Sequence, residues 1–148
     1  MYSITTENFL LKLNPEVIQE DISYPVNTQL HVTVSSSGFS VKEAVMEIDV
    51  KALAAFACAL NALYETLTGT AELREPYGGQ SFIRFSADRG GHIEVKGKIR
   101  GSDSDGHNQT LEFQNGFDQT YLKTFAKQLL ADYKSYLKYK EAHQQCQK

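Results

Sequence analysis

Residues 70–100 constrain the fold most, because they contain two consecutive segments in which apolar and polar side chains alternate. Alternation with a period of two places successive side chains on opposite faces of a β-strand. In the second segment Ile93, Val95 and Ile99 share one face, while the other face is largely basic. A short polar stretch with two adjacent glycines separates it from residues 81–87. The pattern predicts an antiparallel hairpin with one buried and one exposed face.

The same period predicts further strands along the chain, at residues 8–13, 30–34, 39–48, 71–74 and 109–114. Asn14 and Pro15 are expected to end the first of these, since proline interrupts a strand ladder. In residues 39–48 the apolar phase changes halfway. One extra residue near Lys42 and Glu43 would account for the change, which predicts a β-bulge there.

Two segments show helical spacing instead. Residues 50–68 repeat apolar side chains every three to four positions, with Asp49 as the expected N-cap and Gly69 as the expected end. A second helix is expected to begin after Asp118. The order βββαββββα predicts an α+β fold, with a single antiparallel sheet of six to seven strands and two amphipathic helices packed on one face.

A length of 148 residues is typical of one domain. We expect that domain to span residues 1–140, with a frayed tail at residues 141–148. The longest apolar run has nine residues, whereas a bilayer-spanning helix needs roughly 20. The start of the chain shows no secretory signal pattern, which favours a cytoplasmic protein. Cys58 lies in an alanine-rich helical stretch and is expected to be an inert, buried thiol.

No spacing in the chain favours catalysis, a cofactor or a metal. The four histidines are scattered, and an enzyme would have to assemble distant residues such as His31, His92 and Glu94. Asp103 and Asp105 stand at calcium-loop positions, but the flanks are predicted strands rather than helices. The sequence therefore predicts a binding protein without a metal or cofactor.

The exposed side of residues 70–100 supplies the candidate binding residues. A basic face with an adjacent acidic loop would suit an acidic protein partner, although cross-strand ion pairs with Glu94 and Glu112 would explain the same charges. The net charge of −3 disfavours nucleic acid. The candidates are Arg74, Glu75, Tyr77, Arg84, Lys96, Lys98, Arg100, Asp103 and Asp105.

Over residues 8–137 the chain resembles the WapI family of bacterial immunity proteins. The likeness is carried by residues 44–48, the following helix, and residues 69–78, 82–85, 91–97 and 111–113. The resemblance implies a cytoplasmic antidote that binds and blocks the C-terminal toxic domain of a polymorphic toxin. In the namesake system that toxin attacks tRNA, but toxin and antidote vary in pairs. The alternative interpretation is a regulatory domain that binds a small ligand or a peptide.

Overall fold

The computed structural model describes residues 1–77, 81–88, 90–102 and 105–139. Asp103, the tail at residues 141–148, and parts of the turns at residues 75–79 and 88–91 lie outside the described residues. In chain order the elements are β1 (Tyr2–Thr5), β2 (Phe9–Val17), β3 (Thr28–Ser36), β4 (Phe39–Ile48), α1 (Val50–Thr66), β5 (Thr70–Arg74), β6 (Phe82–Ala87), β7 (His92–Ser102), β8 (Asn108–Asp118) and α2 (Lys123–Tyr133). Short 3-10 helices span Gln119–Tyr121 and Lys134–Lys138.

The strands form two sheets rather than one. Within the described residues, the first sheet has the order β1–β2–β3–β4 and the second has the order β5–β6–β7–β8, and every pairing is antiparallel. The α+β class and the antiparallel pairing are confirmed, whereas the single sheet of six to seven strands is wrong. Helix α1 separates β4 from β5, and these two strands become edges of different sheets. Alternation reveals the two faces of a strand but not its neighbours, so it could not distinguish one sheet from two.

Strand β2 runs past the proline that was expected to end it. Pro15 pairs with Leu30 of β3, and the strand ends only at Val17. Strand β1, which the sequence did not predict, covers the other side of β2 only as far as Leu13. Beyond that point β2 is an edge strand, and an edge can accommodate a residue that lacks an amide donor.

The predicted β-bulge in β4 is confirmed. Val32 pairs with Ala44 and Val34 pairs with Val41, so one residue of β3 lies opposite two residues of β4. Glu43 takes up a left-handed backbone conformation with φ of 54°, as expected for an extra residue that bends the strand.

The start of α1 is confirmed, and its predicted end is two residues too late. The Asp49 carboxylate accepts a hydrogen bond from the Lys51 amide at 2.9 Å. The helix ends at Thr66 because Leu67 already adopts the left-handed conformation expected for Gly69, with its amide donating to the Leu63 carbonyl. Asp118 caps a 3-10 turn, and α2 begins only at Lys123.

Both sheets and both helices share one core. Phe85 of β6 contacts Phe56 of α1 and Phe125 of α2, with ring centroids 6.0 and 6.2 Å apart. Phe9 of β2 stacks on Phe117 of β8 at 6.0 Å, which joins the first sheet to the second. The apolar positions of residues 92–100 lie in this core, and their polar neighbours face outward.

A buried polar cluster, formed by Asn27, Asp49 and Lys51, fastens the segment between β2 and β3 to the start of α1. The fully buried Asn27 side chain accepts hydrogen bonds from the Val50 amide and the Thr28 hydroxyl, both at 2.8 Å. Lys51 Nζ lies 3.0 Å from an Asp49 carboxylate oxygen. From the sequence, Asp49 was predicted only as a helix cap. Its ion pair with Lys51 and the hydrogen bonds of Asn27 were not predicted.

Cys58 is half-buried and disulfide-bonded. The expectation of an inert, buried thiol is therefore wrong. Among the described residues, no helix combines the length and the apolar character that crossing a membrane requires.

Candidate functional site

The outer face of the second sheet brings together four of the predicted basic residues. Arg74 pairs with Phe82, and Phe82 pairs with Lys98. In the adjacent row of the sheet, Arg84 pairs with Lys96. We call this group, formed by Arg74, Phe82, Arg84, Lys96 and Lys98, the cationic face. It exists because β5, β6 and β7 are consecutive neighbours, which places their outward positions side by side.

The two arginines of the cationic face are held in place by one carboxylate and one aromatic ring. Glu72 accepts from Arg74 Nη2 at 3.2 Å and from Arg84 Nε at 3.1 Å. The guanidinium carbons lie 4.5 and 5.3 Å from the centroid of the Phe82 ring, which is within the range of cation–π attraction. Both guanidinium groups are thus preorganised while about 40% of each side chain stays exposed (42% for Arg74 and 41% for Arg84).

The charge of Glu72 is set by these neighbours. Partial burial acts to raise the pKa of its carboxyl group, but the hydrogen bonds and charges of Arg74 and Arg84 outweigh burial and bring the pKa below its ordinary value. Glu72 is therefore ionised at neutral pH. One carboxylate beside two guanidinium groups leaves a net positive charge at this end of the face.

The two lysines of the cationic face carry charge without an ion-pair partner within the described residues. Glu94, a predicted partner, instead accepts a hydrogen bond from Gln114. Glu112 lies opposite Lys98 in the register but forms no salt bridge with it in the described part of the chain. Around Phe82, Lys96 and Lys98 the surface forms an open depression of about 590 Å³. Cross-strand ion pairs with Glu94 and Glu112 were one explanation of the basic charges. In the described part of the chain, Lys96 and Lys98 do not form them.

A second feature, the inter-sheet cleft, lies between the edge of the first sheet and the end of β7 and β8. Its volume is about 500 Å³, and it is lined by Glu43, Ala44, Val45, Glu47, Glu75, Arg100, Gly101 and Asn108. The Glu75 carboxylate spans the two sheets, since it accepts from the Glu47 amide at 2.9 Å and from the Ser81 amide at 3.1 Å. The Ser81 hydroxyl in turn accepts from the Arg100 amide at 3.0 Å.

The remaining predicted residues that the structure describes are Glu75, Tyr77, Arg100 and Asp105. Tyr77, two residues beyond Glu75, is 67% exposed. Asp105 is exposed in the turn after β7. Arg100 lines that cleft and is half-buried. Glu75 differs from the others because both of its carboxylate oxygens already accept backbone amides.

A sequence model of the immunity protein WapI-like family matches residues 7–137. The chain belongs to this family. The match covers every described element except β1 and the last residue of the second 3-10 helix. Family membership indicates a role in immunity to a toxin and, in general, a toxin protein as partner. A comparison with curated proteins gives no match.

The geometry does not support the hypothesis of an enzyme assembled from His31, His92 and Glu94. His31 lies on the outer face of the first sheet, whereas His92 and Glu94 lie on the outer face of the second. No described pocket is lined by residues of both sets. Within the part of the chain that the structure describes, no group of three or more histidine, cysteine, aspartate or glutamate side chains could hold a metal ion.

Sequence reasoning missed two residues that organise the site. Glu72 and Phe82 hold the arginines, yet neither was among the candidates. The available signal was the outward phase of Phe82, which places an aromatic ring on the same face as Arg84. Val45 was also missed, because an exposed valine in an alternating strand does not reveal that its strand lies at an edge.

Proposed function

We propose that this protein binds the toxic domain of its cognate toxin non-covalently and thereby blocks it, with the cationic face as the main docking surface. The family match carries the proposal, since it supplies the toxin as partner. Two observations support the choice of surface. Lys96 and Lys98 have no ion-pair partner among the described residues, and Arg74 and Arg84 are fixed by Glu72 and Phe82. The proposed partner surface is acidic.

The physical advantage of such a surface is fast and selective encounter. Charged groups that stay exposed in the free protein steer an oppositely charged partner and discriminate against others. The arginines lose little side-chain freedom on binding, because Glu72 and Phe82 already fix them. An exposed aromatic such as Tyr77 at the margin of this face can add an apolar anchor.

Binding kinetics with the toxic domain encoded next to this chain test the proposal. The variant Lys96→Glu/Lys98→Glu should lower the association rate about tenfold or more and weaken its dependence on salt. The matched control is Lys123→Glu/Lys127→Glu, which makes the same charge change on exposed positions of α2 and should bind like the wild type. Absence of association at micromolar concentration, together with no rescue from toxicity on co-expression, would remove the proposal.

A small ligand is the weaker alternative. Binding sites for small molecules are concave and mostly apolar, whereas both features described above are open, with charged residues at four of eight lining positions in the cleft and three of seven in the depression. A thermal-shift screen would revive the alternative if one compound raised the melting temperature progressively with its concentration, as mass action requires.

A further inference from the structure

Strand β4 is an edge strand that opens onto the inter-sheet cleft. It is the last strand of the first sheet, and within the described residues no strand lies on its other side. Four of the residues that line the cleft, including Val45 and Glu47, come from β4. The cleft therefore lies along the hydrogen-bonding edge of this strand.

The backbone direction along this edge follows from one hydrogen bond. The Glu47 amide donates to the Glu75 carboxylate at 2.9 Å, so it points away from β3 and off the sheet. Amides two residues apart in a strand point the same way, and the Val45 amide therefore also points into the cleft. The Glu75 carboxylate accepts the Glu47 amide where a neighbouring strand would offer a carbonyl. Among the described residues no acceptor takes the Val45 amide in this way.

The regular part of this edge is short, and the cleft beside it is lined mainly by acidic charges. The bulge at Glu43 interrupts the ladder at one end, which leaves residues 44–48 for pairing. Three carboxylates (Glu43, Glu47 and Glu75) surround the cleft, against the single guanidinium of Arg100. The side chain of Val45 is 38% exposed between these acids. A short extended segment with basic side chains matches both the backbone and the charge.

We infer that β4 takes up an extended, basic segment of the toxin as an added strand, with a carbonyl of that segment accepting the Val45 amide. The inference rests on the proposed function and adds a second contact next to the cationic face. Added strands gain affinity from main-chain hydrogen bonds and specificity from the alternate side chains. Here Glu43 and Glu47 would select basic residues on either side of the bonded position.

The test removes the amide N–H at position 45 and keeps a small apolar side chain there. In Val45→Pro the donor is lost, and an edge position tolerates proline. Val45→Thr keeps the amide and the β-branched shape, and serves as the matched control. Isothermal titration with the toxic domain should show Kd raised about tenfold or more for Val45→Pro, the loss of one well-placed hydrogen bond, and changed less than about threefold for Val45→Thr.

Hydrogen exchange of the wild-type complex gives a second readout that does not depend on the folding of a variant. The peptide containing Val45 should become protected when the toxic domain binds. A folded Val45→Pro variant that binds like the wild type, or unchanged exchange at Val45 in a saturated complex, would overturn the inference while leaving toxin binding intact. Failure of the wild type to bind at all would instead remove the proposed function.

Discussion

The buried polar cluster and the cationic face both gather polar and charged side chains, but they satisfy them differently. Around Asn27 each side-chain polar atom has a protein partner, and Lys51 is 7% exposed with Asp49 beside it. On the cationic face Glu72 serves two arginines, and the lysines have no ion-pair partner in the described part of the chain. The comparison separates charge that stabilises the fold from charge that remains available to another molecule.

The physical reason lies in desolvation. A buried polar group without a partner costs about 1–3 kcal/mol, so a buried cluster persists only when its hydrogen bonds are complete. An exposed ion pair contributes about 0–1 kcal/mol, so an unpaired lysine on a surface costs the fold little. We therefore expect substitutions in the buried polar cluster to affect stability, and substitutions on the cationic face to affect binding.

The largest expected effect is that of Asn27→Ala. The substitution leaves the Val50 amide and the Ile22 and Tyr24 carbonyls without their side-chain partner. We expect the free energy of unfolding, measured in urea, to fall by about 2–4 kcal/mol. Asn14→Ala, on the exposed outer face of β2, is the control and should change it by less than about 0.5 kcal/mol. Equal effects of the two substitutions would contradict the contrast between the regions.

A smaller effect is expected from Gly97→Ala, directly behind the cationic face. An added Cβ would lie 2.5 Å from a Phe113 ring carbon and 2.9 Å from the Phe82 carbonyl oxygen. Because the second contact is with backbone, the sheet itself must shift, and we expect a loss of about 1–3 kcal/mol. Gly101→Ala meets no atom within 4 Å. Equal shifts of the melting temperature for both variants would contradict the expected cost of close packing at Gly97.

Glu72→Gln should have a still smaller effect, and a pH-dependent one. Because the pKa of Glu72 is lower in the folded state than its ordinary value, its ionised form stabilises the fold above the ordinary glutamate pKa. That contribution is lost as pH falls through the lower, folded-state pKa. The variant should be less stable at neutral pH by under about 1 kcal/mol, and the difference should vanish in acid. Glu112→Gln is the control. A difference in stability between Glu72→Gln and the wild type that grew as the pH fell would contradict the lowered pKa of Glu72.

The smallest stability effect is expected for Lys96→Glu/Lys98→Glu. A glutamate at position 98 would face Glu112, while one at position 96 would face Arg84, so repulsion and attraction nearly cancel. We expect the free energy of unfolding to change by less than about 0.5 kcal/mol, although the variant binds the toxic domain more slowly. A loss above about 2 kcal/mol would mean that the cationic face belongs to the fold as much as the buried polar cluster does.

Much of the local structure could be predicted from the sequence. The alternation of Ile93, Val95 and Ile99, the cap at Asp49 and the phase change at Glu43 each correspond to an observed feature. Local signals failed where a residue's neighbours decided its role. Pro15 continues a strand because β1 ends beside it, and Leu67 ends α1 before the glycine that was expected to do so.

The candidate site divides in the same way. Arg84, Lys96 and Lys98 were predicted from their outward phase and Arg74 from its place beside the turn of Tyr77, and the structure places all four on one face. The roles of Glu72 and Phe82 depend on cross-strand distances, which a period of two does not contain. Nothing local to Asn27 in the sequence shows that its side chain reaches the start of α1.

By itself, the sequence determined the two helices, every described strand except β1, and which side of each is apolar, because these depend on the periodicity of neighbouring side chains. Only the tertiary structure decided that the strands divide into two sheets, that β4 and β5 become separate edges, and that Glu75 links them across a cleft. Pairing between distant strands is set by how the apolar faces of all elements fill one core, and no single segment carries that information.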